Sequence, residues 1–108
     1  MKQIVYYTTI ENKCPFKDWL LKLDNIVRYR IEQRLYRVAN GNYGDCKKLQ
    51  NSELQELRIL TNKGYRIYFK DIENTIILIV AGSDKSNQDR IILQANKYFN
   101  DFKERYLK

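Results

Sequence analysis

At 108 residues the chain has room for one domain with one core, read here as residues 1–108, and its 44% apolar content is enough for it to fold. Twenty Lys+Arg against 13 Asp+Glu leave a net charge of +7, which draws a small protein toward polyanions: nucleic acid, ribosome, acidic membrane or an acidic protein. Histidine is absent, which excludes Ser-His and Cys-His nucleophiles, histidine-ligated metals and the usual general base near neutral pH, so any chemistry falls to Lys, Arg, Tyr, Asp or Glu.

The N-terminus, MKQIVYYTTIENK, turns polar too early for a signal peptide's apolar region. No segment is apolar for long enough to cross a membrane, so the cytoplasm is the expected location. Lys2 to Thr8 is β-branched and aromatic and reads as a first strand. Pro15 suits the first position of a helix, and Phe16, Trp19, Leu20 and Leu23 follow at helical spacing. Asp24 or Asn25 can cap a second helix, whose buried stripe is Val27, Ile31, Leu35 and Val38 and whose stop is Asn40-Gly41. Arg30, Arg34 and Arg37 lie offset from that stripe, as a solvated face or part of a docking surface. Cys14 and Cys46 show no metal spacing and read as ordinary thiols.

Asn42 to Ser52 is a loop with a short strand expected around Lys47 to Leu49. A hairpin follows, ELRILTNKGYRIYF, with its turn near Asn62-Lys63-Gly64. Asp71 to Asn74 makes the next turn. Thr75 to Ala81, TIILIVA, is apolar without alternation, which predicts a strand covered on both faces or central in its sheet. Ser86 with Asp89 fits a capping box before a long helix whose face is Ile92, Ala95, Phe99 and Phe102. The order is βααβββα, with the short strand as an extra. The class is α+β, an antiparallel sheet with the two early helices on one face.

Strand parity singles out a candidate site. Leu57 and Ile59 point one way and Arg58 the other; Tyr65, Ile67 and Phe69 point one way and Arg66, Tyr68 and Lys70 the other. If helices cover the apolar set, Arg58, Arg66, Tyr68 and Lys70 share an open basic face with a ring in it. Arginine forks match phosphate oxygens, and tyrosine stacks on bases or exchanges a proton; a merely solvated sheet face would carry the same residue types. GSDKSNQ, Gly82 to Gln88, joins a strand to a helix start, where free N–H groups attract anions and Ser83, Lys85 and Ser86 add donors; plain helix capping is the alternative. Lys47 and Lys48 offer a phosphate contact or a solvent-facing loop.

Taken in order, FKDWLLKLDNIVRYRIEQRLYRVANGNYGDCKKL, ELRI, GYRIYF and AGSDKSNQ resemble the RelE/ParE superfamily of toxins from type II toxin–antitoxin modules, nearest its HigB-like, phage-derived addiction module killer branch. The resemblance spans about Phe16 to Tyr98. It implies a βααβββα fold with a curved antiparallel sheet and a C-terminal helix. It implies a ribosome-dependent mRNA endonuclease that needs no cofactor and no metal, and as partners mRNA, the ribosome and a cognate antitoxin of helix-turn-helix type. Arg58 matches the ELR arginine, Arg66 and Tyr68 the GYRxYF pair, and Lys85 and Gln88 the K-S-x-Q element. These imply Arg58 and Arg66 on the scissile phosphate, Tyr68 stacking or moving a proton, Lys85 holding phosphate or acting as general acid, and Gln88 binding RNA; Lys47, Lys48, Lys70, Ser83 and Ser86, singled out by position alone, are the further RNA-binding candidates. The chain departs from the family pattern at Gly82-Ser83, where two glycines are frequent, at Ile91-Ile92, where Asp often precedes Ile, and in having no histidine. A ParE-like gyrase poison and a non-catalytic basic module that binds an antitoxin or RNA are the competing functions.

Overall fold

The computed structural model describes residues 1–59 and 61–107. Along the chain come β1 (Gln3–Tyr6), α1 (Pro15–Leu21), α2 (Asn25–Ala39), β2 (Cys46–Lys48), β3 (Gln55–Ile59), β4 (Tyr65–Ile72), β5 (Ile76–Ser83), a 3-10 turn (Lys85–Asn87) and α3 (Gln88–Tyr106). The class is α+β, as expected. The strands form one sheet in the order β1-β5-β4-β3-β2. β2 to β5 pair antiparallel, but β1 joins β5 in parallel, Gln3 opposite Ile76 and Tyr6 opposite Ile79. The expectation of an antiparallel sheet, drawn from short turns, holds for four of its five strands. Short turns join only β3, β4 and β5; a long connection through two helices leaves β1 free to run parallel.

Local signals explain the boundaries. Pro15 opens α1. The Asp24 carboxylate accepts the Ile26 N–H at 2.7 Å and caps α2. Glu73 and Asn74 take φ of 51° and 59°, and the Thr75 N–H donates to the Ile72 carbonyl at 2.9 Å, a type I′ turn whose twist suits the β4–β5 hairpin. The capping box before α3 sits two residues earlier than expected. Asp84 accepts the Ser86 N–H at 2.8 Å, and the Asp84 N–H donates to Asn87 Oδ1 at 3.1 Å. Asp caps as well as Ser, and Asp84 comes first, at the point where the chain tightens into the 3-10 turn.

Each sheet face has its own core. On one face Phe16, Leu20, Ile31, Leu35 and Val38 of α1 and α2 pack on Leu57, Ile59, Ile67, Phe69, Ile77 and Ile79. On the other, Ala95 and Phe99 of α3 pack on Tyr7, Leu54, Tyr68, Leu78, Val80 and Ala81. TIILIVA is therefore covered on both faces. Tyr68 pairs with Ala81 and Phe69 with Ile79, so Val80 is an extra residue in β5, a bulge that turns both Val80 and Ala81 toward α3. Gly82, opposite Ile67, has the Trp19 indole against it: a Cβ there would stand 2.3 Å from Trp19 Cε3, so no larger residue fits without displacing the ring.

Candidate functional site

The face toward α3 is divided. Its apolar half lies under the helix. Its other half, at the β2–β3 side, is charged, and there β3 and β4 set Arg58 directly opposite Arg66. Like charges facing across a strand pair repel, so the pairing needs a counter-ion. Glu56 supplies it. Two residues before Arg58, it has the same parity and is 1% exposed. Its Oε1 faces Arg58 Nε at 3.8 Å, Arg66 Nε at 3.8 Å and Lys47 Nζ at 3.9 Å, while Gln88 Nε2 donates to its Oε2 at 3.2 Å. Three cations from three strands and the first residue of α3 converge on one buried carboxylate.

The cluster is electrostatic rather than closed by hydrogen bonds. Neither Arg58 Nε nor Arg66 Nε has a hydrogen-bond acceptor although both atoms are buried. Arg66 is anchored from behind, its Nη1 donating to the Gly64 carbonyl at 2.7 Å, and its side chain is 15% exposed; Arg58, 41% exposed, also meets Asp45 Oδ1 at 3.4 Å. Guanidinium groups with unused donors at a half-open surface suit an anion with several acceptor oxygens.

Five of the ten residues singled out in the sequence belong to this cluster or border it. Arg58, Arg66, Lys47 and Gln88 meet at Glu56. Lys85 borders them: its N–H donates to the Lys63 carbonyl at 3.1 Å and its stem lies against Gly64, beside the anchor of Arg66. Five do not. Tyr68 has the expected parity but is 0% exposed, because α3 covers a face read from the sequence as open. Its hydroxyl is shared with Ser83 Oγ at 2.8 Å, its ring has no exposed face on which a base can stack, and burial, reinforced by Glu56, pushes its phenol up to about 12. Ser83 is equally buried and its hydroxyl is used on Tyr68. Ser86 gives both its N–H and its hydroxyl to Asp84, at 2.8 Å and 2.6 Å, so a carboxylate already occupies the anion position at that turn. The Ser86 hydrogen bonds hold the Asp84 carboxyl below the usual range. Lys48 follows Lys47 and alternation turns it to the other face. Lys70 shares the face but lies four residues along β4 from Arg66, about 13 Å at strand rise.

Glu56 is the residue the sequence reading passed over. Its signal was its place in ELR with the parity of Arg58, but an acidic residue on a polar strand face reads as solvent-exposed until a helix end is known to close over it. Among the described residues, no group of three or more His, Cys, Asp or Glu is placed to hold a metal ion, and no helix is long and apolar enough to cross a membrane. Cys14 and Cys46 are free thiols.

These features define an α+β domain with a cluster of three cations around one buried carboxylate, at the boundary between its third helix and the sheet edge. No family model matches the sequence. Over 87 residues, 80% of this chain and 87% of the relative, it is 39% identical to an uncharacterized protein of Haemophilus influenzae. The chain belongs to the same family as that protein.

Proposed function

We propose that this protein is a RelE/ParE-type toxin of a toxin–antitoxin module, acting in the cytoplasm as a ribosome-dependent mRNA endonuclease of the HigB-like branch. The observation that carries the reading is the convergence of Arg58, Arg66 and Lys47 on Glu56. RNA brings its own nucleophile, the 2′-OH, so the protein needs to align it, take its proton, neutralise the charged phosphorane and protonate the leaving oxygen. Arg58 and Arg66 bind the scissile phosphate. Glu56, the carboxylate that all three cations share, sets their positions and accepts the 2′-OH proton. Lys85, exposed at the rim, holds a flanking phosphate or protonates the 5′ oxygen. No metal takes part. A helix-turn-helix antitoxin is the expected neutralising partner.

The burial of Tyr68 and Ser83 favours a second reading, a basic module that binds RNA or an antitoxin without cleaving. Induction in a host strain, with 5′-end mapping of its mRNAs, separates the two. Growth arrest with discrete cuts in translated messages supports the nuclease. Arrest with intact messages supports the module, and trapped cleaved gyrase–DNA would move the protein to the ParE reading.

A further inference from the structure

Beyond the Glu56 cluster, a groove of about 450 Å³ runs between α2 and the loop leading into β2, lined among others by Tyr29, Arg30, Arg34, Arg37, Asp45 and Arg58. Four of those side chains are cations and one is an anion. Arg34 is the unusual member. It is 9% exposed, yet its only hydrogen bond among the described residues is a long one, Nη2 to the Asp45 carbonyl at 3.5 Å. Among the described residues no carboxylate lies within 4.0 Å of Arg30, Arg34 or Arg37, and the Asp45 carboxylate is turned to Arg58. Burial and the neighbouring Arg37 both lower the Arg34 pKa. The local chain is shaped around this guanidinium: Gly44 has φ +61° and a Cβ there would stand 2.6 Å from Arg34 Nη2. Among the described residues none of its nitrogens is both buried and without a partner, so its unused donors open into the groove, where an anion with several oxygens can meet them.

We propose that this groove is a second phosphate subsite, which takes the backbone of the same single-stranded RNA after it leaves the Glu56 cluster. The inference rests on the RNA reading above. Arg58 makes the two sites continuous, for it lines the groove and also stands 3.8 Å from Glu56. Arginine forks match phosphate oxygens two at a time, and the exposed Tyr29 ring offers a face on which a base can stack. An acidic protein segment would satisfy the same cations but would give no reason for continuity with the cluster.

The test uses the whole protein and a labelled 2′-O-methyl oligouridylate, which cannot be cleaved, long enough to span both sites. Its affinity is measured against salt for wild type and for Arg30→Gln/Arg37→Gln. Both substituted side chains are exposed, and a thermal melt checks the fold. Loss of two phosphate contacts on a single strand should lower the slope of log K against log salt by about 1.4. An unchanged slope, with wild type binding, overturns the subsite and leaves the RNA reading standing. Absence of oligonucleotide binding by wild type overturns the subsite; the ribosome-dependent nuclease reading then stands or falls on the 5′-end mapping alone. A variant that keeps the RNA slope but loses binding to poly-L-glutamate assigns the groove to an acidic protein partner and also overturns the proposal.

Discussion

The two faces of the sheet are built from the same strands and do different work. Under α1 and α2 lies an apolar core, from Phe16 and Ile31 to Leu57, Ile67 and Phe69, all of them fully buried, with Arg34 at its margin. Under α3 only half the face is apolar, and the other half holds Glu56 among three cations it does not tightly bond. Apolar burial returns free energy wherever shapes fit, whereas a buried carboxylate with loose partners returns little. The first face thus supports the fold, and the charged half of the second adds little to stability, as the proposed anion site would require.

Predictions that break this division run from the largest effect to the smallest. Glu56→Gln keeps the shape of the side chain but removes its charge. RNA cleavage should fall about 10²- to 10⁴-fold, as for loss of a general base, while affinity for uncleavable RNA rises because the cations are freed from their internal partner. Equal loss of binding and cleavage would make Glu56 a scaffold only. On the opposite face, Phe16→Ala should cost about 3–5 kcal/mol in urea unfolding. Gly82→Ala should cost about 1–3 kcal/mol, because the new methyl must displace Trp19.

The smallest effect is the most discriminating. Tyr68→Phe should cost about 1 kcal/mol, leaving the Ser83 hydroxyl unpaired, and should hold cleavage near the wild-type rate. A collapse of activity without a change in stability would return Tyr68 to the site. Tyr7 and Tyr68 also tie stability to alkaline pH. Both phenols are pushed up to about 12, by burial first, with the Asp101 hydrogen bond adding to it at Tyr7. Between an unfolded pKa of about 10 and that value the folded state binds more protons than the unfolded one, so stability falls as pH rises through this window. A tyrosinate absorbance titration should show late-titrating rings, and Tyr68→Phe should remove one of them.

Much of this architecture was legible in the sequence. Period-2 and helical apolar patterns placed every helix and the strands of the hairpin, and parity placed Arg58 and Arg66 on one face. The reading failed where a distant element decides the outcome. Nothing local to β4 says that α3 will lie over Tyr68 and Ser83, since an aromatic and a serine suit a covered face as well as an open one. Nothing local to ELR says that Glu56 will be enclosed by Gln88, 32 residues later. The parallel seating of β1 was missed for the same reason, because no short turn fixes it. The arginines of α2 were seen as a stripe, but the groove they form needs the loop carrying Gly44 and Asp45 beside them.

The central claim is that the charged half of the α3 face cleaves RNA through the substrate's own 2′-OH. It is tested most directly by the chemistry of the cut ends. Wild type and Arg58→Ala are compared in a translating extract; Arg58 is the better choice because it is 41% exposed and does not anchor the turn as Arg66 does. The protein should leave a 2′,3′-cyclic phosphate or 3′-phosphate on one fragment and a 5′-OH on the other, the cut should persist in EDTA on ribosomes kept intact by other means, and Arg58→Ala should lose it with its fold unchanged. A 5′-phosphate end, or cleavage undiminished in Arg58→Ala, would contradict the account.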